Sequence, residues 1–312
     1  MTLLVRDEAD IVADQLRYHF DHGVDFVVAT DHRSVDGTTD VLREHERAGR
    51  LHLIREEGET LPQSEWVTRM ARLASTQFGA DWVMNSDVDE FWWAREGSLR
   101  EVLEAVPPGY GVVRCFGRHF VARPEDGRPF AERMTYRRRP TGERGSPYGA
   151  GFVAAHRGLA DVVVTRGNHN AYGRGLAPLR EWMPIEVLHF PIRTLAQMER
   201  KFLRLEQSLA RGPSSVHERQ TASAIRAESA ESVFASFVVD DDALQAGLGD
   251  RSLEEDTRLR DALRGATGRA VPTLDDDVSL ALDFADFHPA DSPERLAGRI
   301  GELRRRLAAV ER

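Results

Sequence analysis

One cysteine, Cys115, is all that the sequence contains. No intramolecular disulfide can form, which suits a reducing compartment. Its neighbours Val112, Val113 and Phe116 read as a buried strand, so the thiol is expected to pack rather than react. No apolar run approaches the roughly 20 residues that cross a bilayer. The opening Met1-Thr2-Leu3-Leu4-Val5-Arg6 is too short for a secretory leader. A soluble, cytoplasmic protein is the expectation. Clustered basic charge is also missing: the formal net charge is -9. Phosphate backbones attract clustered Lys and Arg, so a nucleic-acid partner is excluded. The one basic run, Arg137-Arg138-Arg139, reads as a solvated loop. An acidic protein still binds a diphosphate where a divalent cation neutralises it locally.

What is present suits one large domain, or a domain with an appendage: 312 residues, 41% hydrophobic and 30% charged. The first third alternates strand and helix signals. Leu3-Leu4-Val5 is a short apolar run; Val12, Leu16 and Phe20 then recur at helical spacing up to Gly23. Phe26-Val27-Val28-Ala29 reads as a strand. Asp36-Gly37-Thr38 opens a helix that Gly49 closes, and Leu51-His52-Leu53-Ile54 is a third strand. A helix over about 63–78 and a strand at Trp82-Val83-Met84 complete the unit. This βαβαβαβ order predicts a parallel sheet covered by helices, with ligands beyond the carboxyl ends of its strands. Ser98 to Glu101 has the spacing of a capping box, and Tyr110 to Phe116 reads as a strand. Residues 117–180 read as long loops and short strands facing a substrate. An amphipathic helix is expected over 194–211. Helical segments follow, with acidic runs at Asp240-Asp241-Asp242 and Asp275-Asp276-Asp277 as solvated loops or helix starts and a last helix at about 293–310.

The chemistry gathers where the strands end: Arg6-Asp7-Glu8, Asp31, and Asp87-Val88-Asp89-Glu90. In the last of these an apolar strand runs into three carboxylates within four residues. Like charges packed so closely repel unless a cation sits among them. If the backbone stays extended, Asp87 and Asp89 point the same way and Val88 points into the core. Such a pair suits Mg²⁺ or Mn²⁺, which take oxygen ligands and keep positions open for phosphate. The competing reading is a solvated turn, but Val83, Met84, Phe91, Trp92 and Trp93 surround it. In Thr30 to Thr39, Asp31 is placed to accept a hydrogen bond from a nucleobase. A purely structural turn accounts for Ser34, Asp36 and Gly37 equally well, and for Asp31 less well.

Asp31 to Thr38 resembles the D-(D/N)-x-S-x-D-G-T turn of glycosyltransferase family 2, and Asp87-Val88-Asp89 resembles that family's D-x-D. Val5 to Ile11 is similar to the V-(K/R)-(N/D)-E-A-x-I opening of its short soluble bacterial members. Trp82 to Phe91 resembles their W-x-x-x-x-D-x-D-E-F, and Leu188-His189-Phe190 followed by Lys201 their later H-(F/Y) and lysine. The likeness runs over about residues 2–265. It implies a GT-A-type, Rossmann-like mixed sheet flanked by helices, with a helical C-terminal region. Residues 1–116 would form the nucleotide-sugar-binding half, 117–212 the acceptor half, and 213–312 a helical appendage. It also implies a nucleoside-diphospho-sugar donor, UDP-sugar favoured, and inversion at the anomeric carbon. Arg6, Glu8, Asp31, Asp87, Val88 and Lys201 would bind the donor, while Asp87, Asp89 and His189 would hold Mn²⁺ or Mg²⁺. The sequence departs from the family at His32, where Asp or Asn is usual. It also lacks a Glu-Asp base motif and a Q-x-x-R-W run. The general base is left to Glu181, beside Trp182, or to His169 in the polar loop Asn168-His169-Asn170. Trp66, Trp92 and Trp93 read as core, with Trp92 or Trp93 possible at the site.

Three rivals are weighed. A phosphotransferase of the haloacid-dehalogenase type also places D-x-D after a strand, but after the first strand of its core. A nucleotidyltransferase wants a Gly-rich basic loop after its first strand, which Arg6-Asp7-Glu8 is not. A non-catalytic nucleotide-sugar-binding protein shares the sheet without the turnover.

Overall fold

The computed structural model describes residues 1–58, 62–139, 151–179, 183–201 and 229–265. The first four strands are β1 (Thr2–Val5), β2 (Val27–His32), β3 (Leu51–Glu56) and β4 (Trp82–Asp87). They lie parallel in the order β3-β2-β1-β4. Between them run helices α1 (Val12–Asp21), α2 (Thr38–Arg47) and α3 (Gln63–Thr76). This is the arrangement that the alternating pattern predicts. Strands β1 and β2 are buried along nearly their whole length, as a sheet with both faces covered requires. Helix α4 (Leu99–Glu104) starts at the expected capping box, with Ser98 and Glu101 bonding each other's backbone N–H.

The same sheet continues through β5 (Glu90–Ala94), β6 (Val112–His119), β8 (Phe152–Arg157) and β12 (Ile185–His189). Its full order is β3-β2-β1-β4-β8-β6-β12-β5, with β11 (Pro178–Leu179) branching beside β6. Small pieces lie outside it: β7 (Tyr136–Arg138), β9 (Val163–Val164), β10 (Ala171–Tyr172) and β13 (Leu253–Glu255). The 117–180 region, read as long loops and short strands, thus supplies one six-residue strand, β8, to the centre of the sheet. Its run Phe-Val-Ala-Ala-His-Arg has weak strand propensity, and β4 and β6 on its two edges supply the order.

One connection fixes the shape. β4 and β5 are consecutive, joined by Val88 and Asp89, yet three strands separate them in the sheet. In a flat sheet four inter-strand steps span roughly 19 Å. Three residues of extended chain reach at most about 11 Å. The sheet must therefore curl until the tips of β4 and β5 meet, and the acidic turn is the join. The interior of the curl is packed with Phe91, Trp92, Cys115, Val187 and Leu188, all 1% exposed or less. Cys115 is the packing residue expected of it, and burial pushes its thiol well above the ordinary range.

The basic run is not a solvated loop. Arg137 is fully buried in β7 and pairs with Glu254 and Asp256. Glu254 lies on β13, which pairs antiparallel with β7, and Asp256 follows the strand directly. The residues just after β13 dock as well: Arg258 bonds Glu186 of β12 at 2.6 Å. The described part of the C-terminal region is thus sewn onto the main sheet and β7, and the 116/117 division falls inside β6. Asp240 caps a helix over Asp241–Gly249, so the first acidic run is a helix start. The second acidic run, the 293–310 helix and the 194–211 helix beyond residue 201 lie outside the described residues. Among the described residues no helix is long and apolar enough to cross a membrane.

Candidate active site

The carboxyl ends of β1, β2, β4, β6 and β12 and the start of β5 share one end of the sheet. Two loops there are interlaced. Asp7 N–H donates to Ser34 Oγ at 2.9 Å, Val35 N–H to Asp7 Oδ1 at 2.7 Å, and Ala9 N–H to Asp36 Oδ2 at 3.0 Å. Gly37 stands before α2 at φ 103°, a left-handed conformation that a side chain would oppose. Burial works to raise the Asp36 pKa, but bonds from Thr38 and Ala9 outweigh it and leave the carboxyl below its usual range. Asp31 is committed to this turn. One oxygen accepts from Ser34 N–H at 3.1 Å and the other from the Thr39 hydroxyl. The structural role thus accounts for Asp31 as fully as for its neighbours. His32, where the family turn has Asp or Asn, is buried against Trp66 and bonds the Gly58 carbonyl through Nε2 at 2.7 Å.

At the acidic turn the strand stops at Asp87, and Val88 and Asp89 form the turn itself. Asp87 and Asp89 therefore do not project as an extended pair. Val88 is a core residue, 5% exposed, as expected of a side chain turned into the core. Asp87 accepts a hydrogen bond from Asn168 Nδ2 at 3.2 Å. Asp89 faces Lys201 Nζ at 3.3 Å and His189 Nε2 at 3.6 Å. Glu90 folds back to accept from the Asp87 N–H at 3.0 Å. Burial and the neighbouring Asp89 raise the Asp87 pKa. Burial together with Asp87 and Asp89 pushes Glu90 well above its ordinary value. Burial would raise Asp89 too, but Lys201 and His189 outweigh it and hold that carboxyl far below its usual range.

The supporting residues are those that sequence reasoning missed. His119 and His189 are direct neighbours across β6 and β12, with their Nδ1 atoms 3.0 Å apart. His189 Nε2 faces the acceptor-only Asp89 carboxylate at 3.6 Å, so there it is the donor, while its Nδ1 shares a proton with His119 Nδ1. Arg193 is fully buried, joins Glu8 to Asp10 and donates to the Phe190 carbonyl. Glu8, raised in pKa chiefly by burial, is thereby fixed behind the turn. Arg6 lies beside Asp7, 3.9 Å away. Asn168, not the neighbouring His169, reaches Asp87. It sits at φ 59° after Gly167 at φ 72°, a doubly left-handed turn that Asn and Gly tolerate. His169 is exposed, and its Nδ1–H donates to the Phe152 carbonyl at 2.7 Å, which leaves Nε2 as its free lone pair. A Cβ at Gly167 would come within 2.6 Å of that Nε2. Glu181 lies outside the described residues. Trp92 is core, while Trp93 packs against Tyr18 and under Arg258.

The donor chemistry suits a hard divalent cation. Asp89 offers carboxylate oxygen, His189 an oriented imidazole, and Asp87 a second carboxylate alongside. Among the described residues no group of three or more His, Cys, Asp or Glu is placed to hold a metal ion. Asp89 and His189, with Asp87 nearby, are the oxygen and nitrogen donors here, and Mg²⁺ and Mn²⁺ commonly complete their shells with phosphate oxygens and water.

No curated protein sequence matches the chain. Among solved structures, a mannosyltransferase from Pyrobaculum calidifontis in complex with GDP-Man and Mn²⁺ aligns at 16% identity. That alignment covers 99% of this chain and 85% of that one, with a TM-score of 0.36. TarS from S. aureus in complex with UDP aligns at 13% identity over 76% of this chain and 74% of its own, with a TM-score of 0.34. Likenesses this loose carry no functional argument. The sequence itself is more informative: residues 2–132, which hold the interlaced loops and the acidic turn, match the model of glycosyltransferase family 92, a different family from the one whose motifs they resemble.

Proposed function

We propose that the protein is a GT-A-type glycosyltransferase that moves a sugar from a nucleoside-diphospho-sugar, UDP-sugar favoured, to an acceptor hydroxyl with inversion. One observation carries the reading: a buried turn of three carboxylates, at the join of the curled sheet, with Asp89 set between an imidazole and an ammonium. The family match over residues 2–132 supports sugar transfer. A haloacid-dehalogenase phosphotransferase needs its aspartates after the first strand of its core, whereas here they follow β4.

In this reading Asp89 and His189, with Asp87 beside them, would hold Mn²⁺ or Mg²⁺, and such an ion would supply charge stabilisation to the departing diphosphate. Asn168 keeps Asp87 turned toward the site by clamping one of its oxygens. Arg193 keeps Glu8 and Asp10 bound to each other, so the loop after β1 cannot drift into the donor's space. Lys201 offers its ammonium to the diphosphate. The acceptor oxygen attacks the anomeric carbon on the face away from the diphosphate, and the bond from that carbon to the diphosphate oxygen breaks. His169 Nε2 takes the acceptor proton, its ring oriented by the Phe152 carbonyl.

The test is a panel of nucleoside-diphospho-sugars assayed with Mn²⁺. Wild-type protein is expected to release nucleoside diphosphate, and Asp89→Asn to lose at least about 100-fold, more than a lost supporting contact costs. Full turnover in Asp89→Asn, or in excess EDTA, overturns the metal-dependent reading. Release of phosphate from a phosphomonoester returns the protein to the phosphotransferase class.

A further inference from the structure

Of the 42 basic residues apart from histidine, Lys201 is the only lysine; every other is arginine. A chain with so strong a preference for guanidinium has kept one ammonium, and the structure places it 3.3 Å from Asp89 Oδ2. The two cations differ physically. Guanidinium is a planar fork that grips a carboxylate in two parallel bonds. An ammonium is a compact point charge on a flexible stem and can leave one anion for another. Elsewhere the protein uses the fork to lock carboxylates: Arg193 on Asp10, Arg258 on Asp256, Arg118 on Glu186.

The surroundings of Lys201 suit a group that moves. Its side chain keeps 48% of its surface open. Besides Asp89, its ammonium donates to the Pro191 carbonyl at 3.3 Å, a second contact as long as the first. The carboxylate it neutralises is the one that His189 faces from the other side.

Resting on the sugar-transfer reading, we propose that Lys201 is an exchangeable counter-ion. It neutralises Asp89 while the site holds no metal, yields that carboxylate to the divalent cation, and passes to the incoming diphosphate. Two requirements follow. The ammonium and the metal compete for Asp89, so each weakens the other when no nucleotide is present. The ammonium and the diphosphate cooperate, so nucleotide affinity needs the lysine. An arginine would hold Asp89 too firmly to be exchanged.

The single lysine makes the test direct. Acetylation by an N-hydroxysuccinimide ester, followed by peptide mass mapping, reports on one ε-amine and separates it from the α-amine of Met1. Saturating Mn²⁺ alone is expected to raise the labelling rate at Lys201 several-fold, because the amine is released from Asp89. Mn²⁺ with UDP is expected to bring it below the rate of the free protein. In calorimetry, Lys201→Met is expected to bind Mn²⁺ alone several-fold more tightly and UDP with Mn²⁺ about tenfold more weakly. Lys201→Arg is expected to bind Mn²⁺ alone more weakly than wild type. A lysine with a merely structural role predicts no such split of signs. If wild type binds Mn²⁺ and UDP but its labelling ignores Mn²⁺, or if Lys201→Met weakens Mn²⁺ binding, the exchange is wrong and the sugar-transfer reading stands. If wild type binds neither Mn²⁺ nor UDP or GDP, both fall.

Discussion

Two buried charge clusters sit in this protein and are built on opposite principles. Around Glu186, three carboxylates (with Asp256 and Glu254) meet five guanidiniums, those of Arg95, Arg118, Arg137, Arg139 and Arg258. At the acidic turn, Asp87, Asp89, Glu90 and Glu8 are served by Arg193 and Lys201. Among the described residues, Asp87 and Glu90 receive only hydrogen bonds from an amide and a backbone N–H. The pKa directions record the contrast. Burial would raise Glu186, but Arg118 and Arg258 hold it down at about 2. At the turn, burial and mutual repulsion raise Asp87 and Glu90. In the first cluster every carboxylate has a guanidinium against it, and the cluster binds the fold together. In the second, among the described residues, no cation touches Asp87 or Glu90, an arrangement that a bound cation would suit.

The comparison can be broken at its stable side first. Glu186→Gln strips a carboxylate from two buried arginines and is expected to cost about 3–5 kcal/mol in denaturant unfolding. Its pH dependence has a definite sign. Glu186 has a folded pKa below its ordinary value, so its contribution is complete above about 4.5 and fades as pH falls toward about 2. The stability gap between wild type and Glu186→Gln should therefore narrow on acidification through that window; a gap that widens refutes the assignment. At the other cluster, His119→Phe removes the hydrogen-bond partner that orients His189, while a ring still fills the space. Mn²⁺ affinity is expected to fall about 10–100-fold, as for other supporting partners of metal ligands. Calorimetry showing wild-type affinity would remove His119 from the site. The smallest effect is expected from Asn168→Gly, which keeps the left-handed backbone and deletes the amide. One lost hydrogen bond of about 1 kcal/mol corresponds to a roughly fivefold rise in the donor KM. A larger loss in kcat than in KM would instead place Asn168 against the reacting atoms.

The parallel half of the fold was legible because its strands and helices announce themselves within ten or twenty residues, through periodicity and glycine stops. The acidic turn was legible for the same reason: its repulsion is local. The residues that complete it are not local. Lys201 meets Asp89 across 112 positions, His119 meets His189 across 70, and Arg193 reaches back 185 to Glu8. Arg137 was misread because its carboxylates stand on β13 and directly after it, more than a hundred residues on. In the loop after β9, histidine drew the eye as the chemical residue. The doubly left-handed backbone instead sends the adjacent Asn168 to Asp87. The sign of that was present in the sequence as Gly167-Asn168, a pair that tolerates positive φ.

The short link between β4 and β5 also dictates what can move. Because Val88 and Asp89 stitch the rolled sheet shut, the spacing of Asp87 from Glu90 cannot stretch without tearing a strand from its ladder. Among the described residues, what leans over this seam from outside is the turn bearing Asn168 and the helical segment bearing Lys201, neither of them part of the stitch itself.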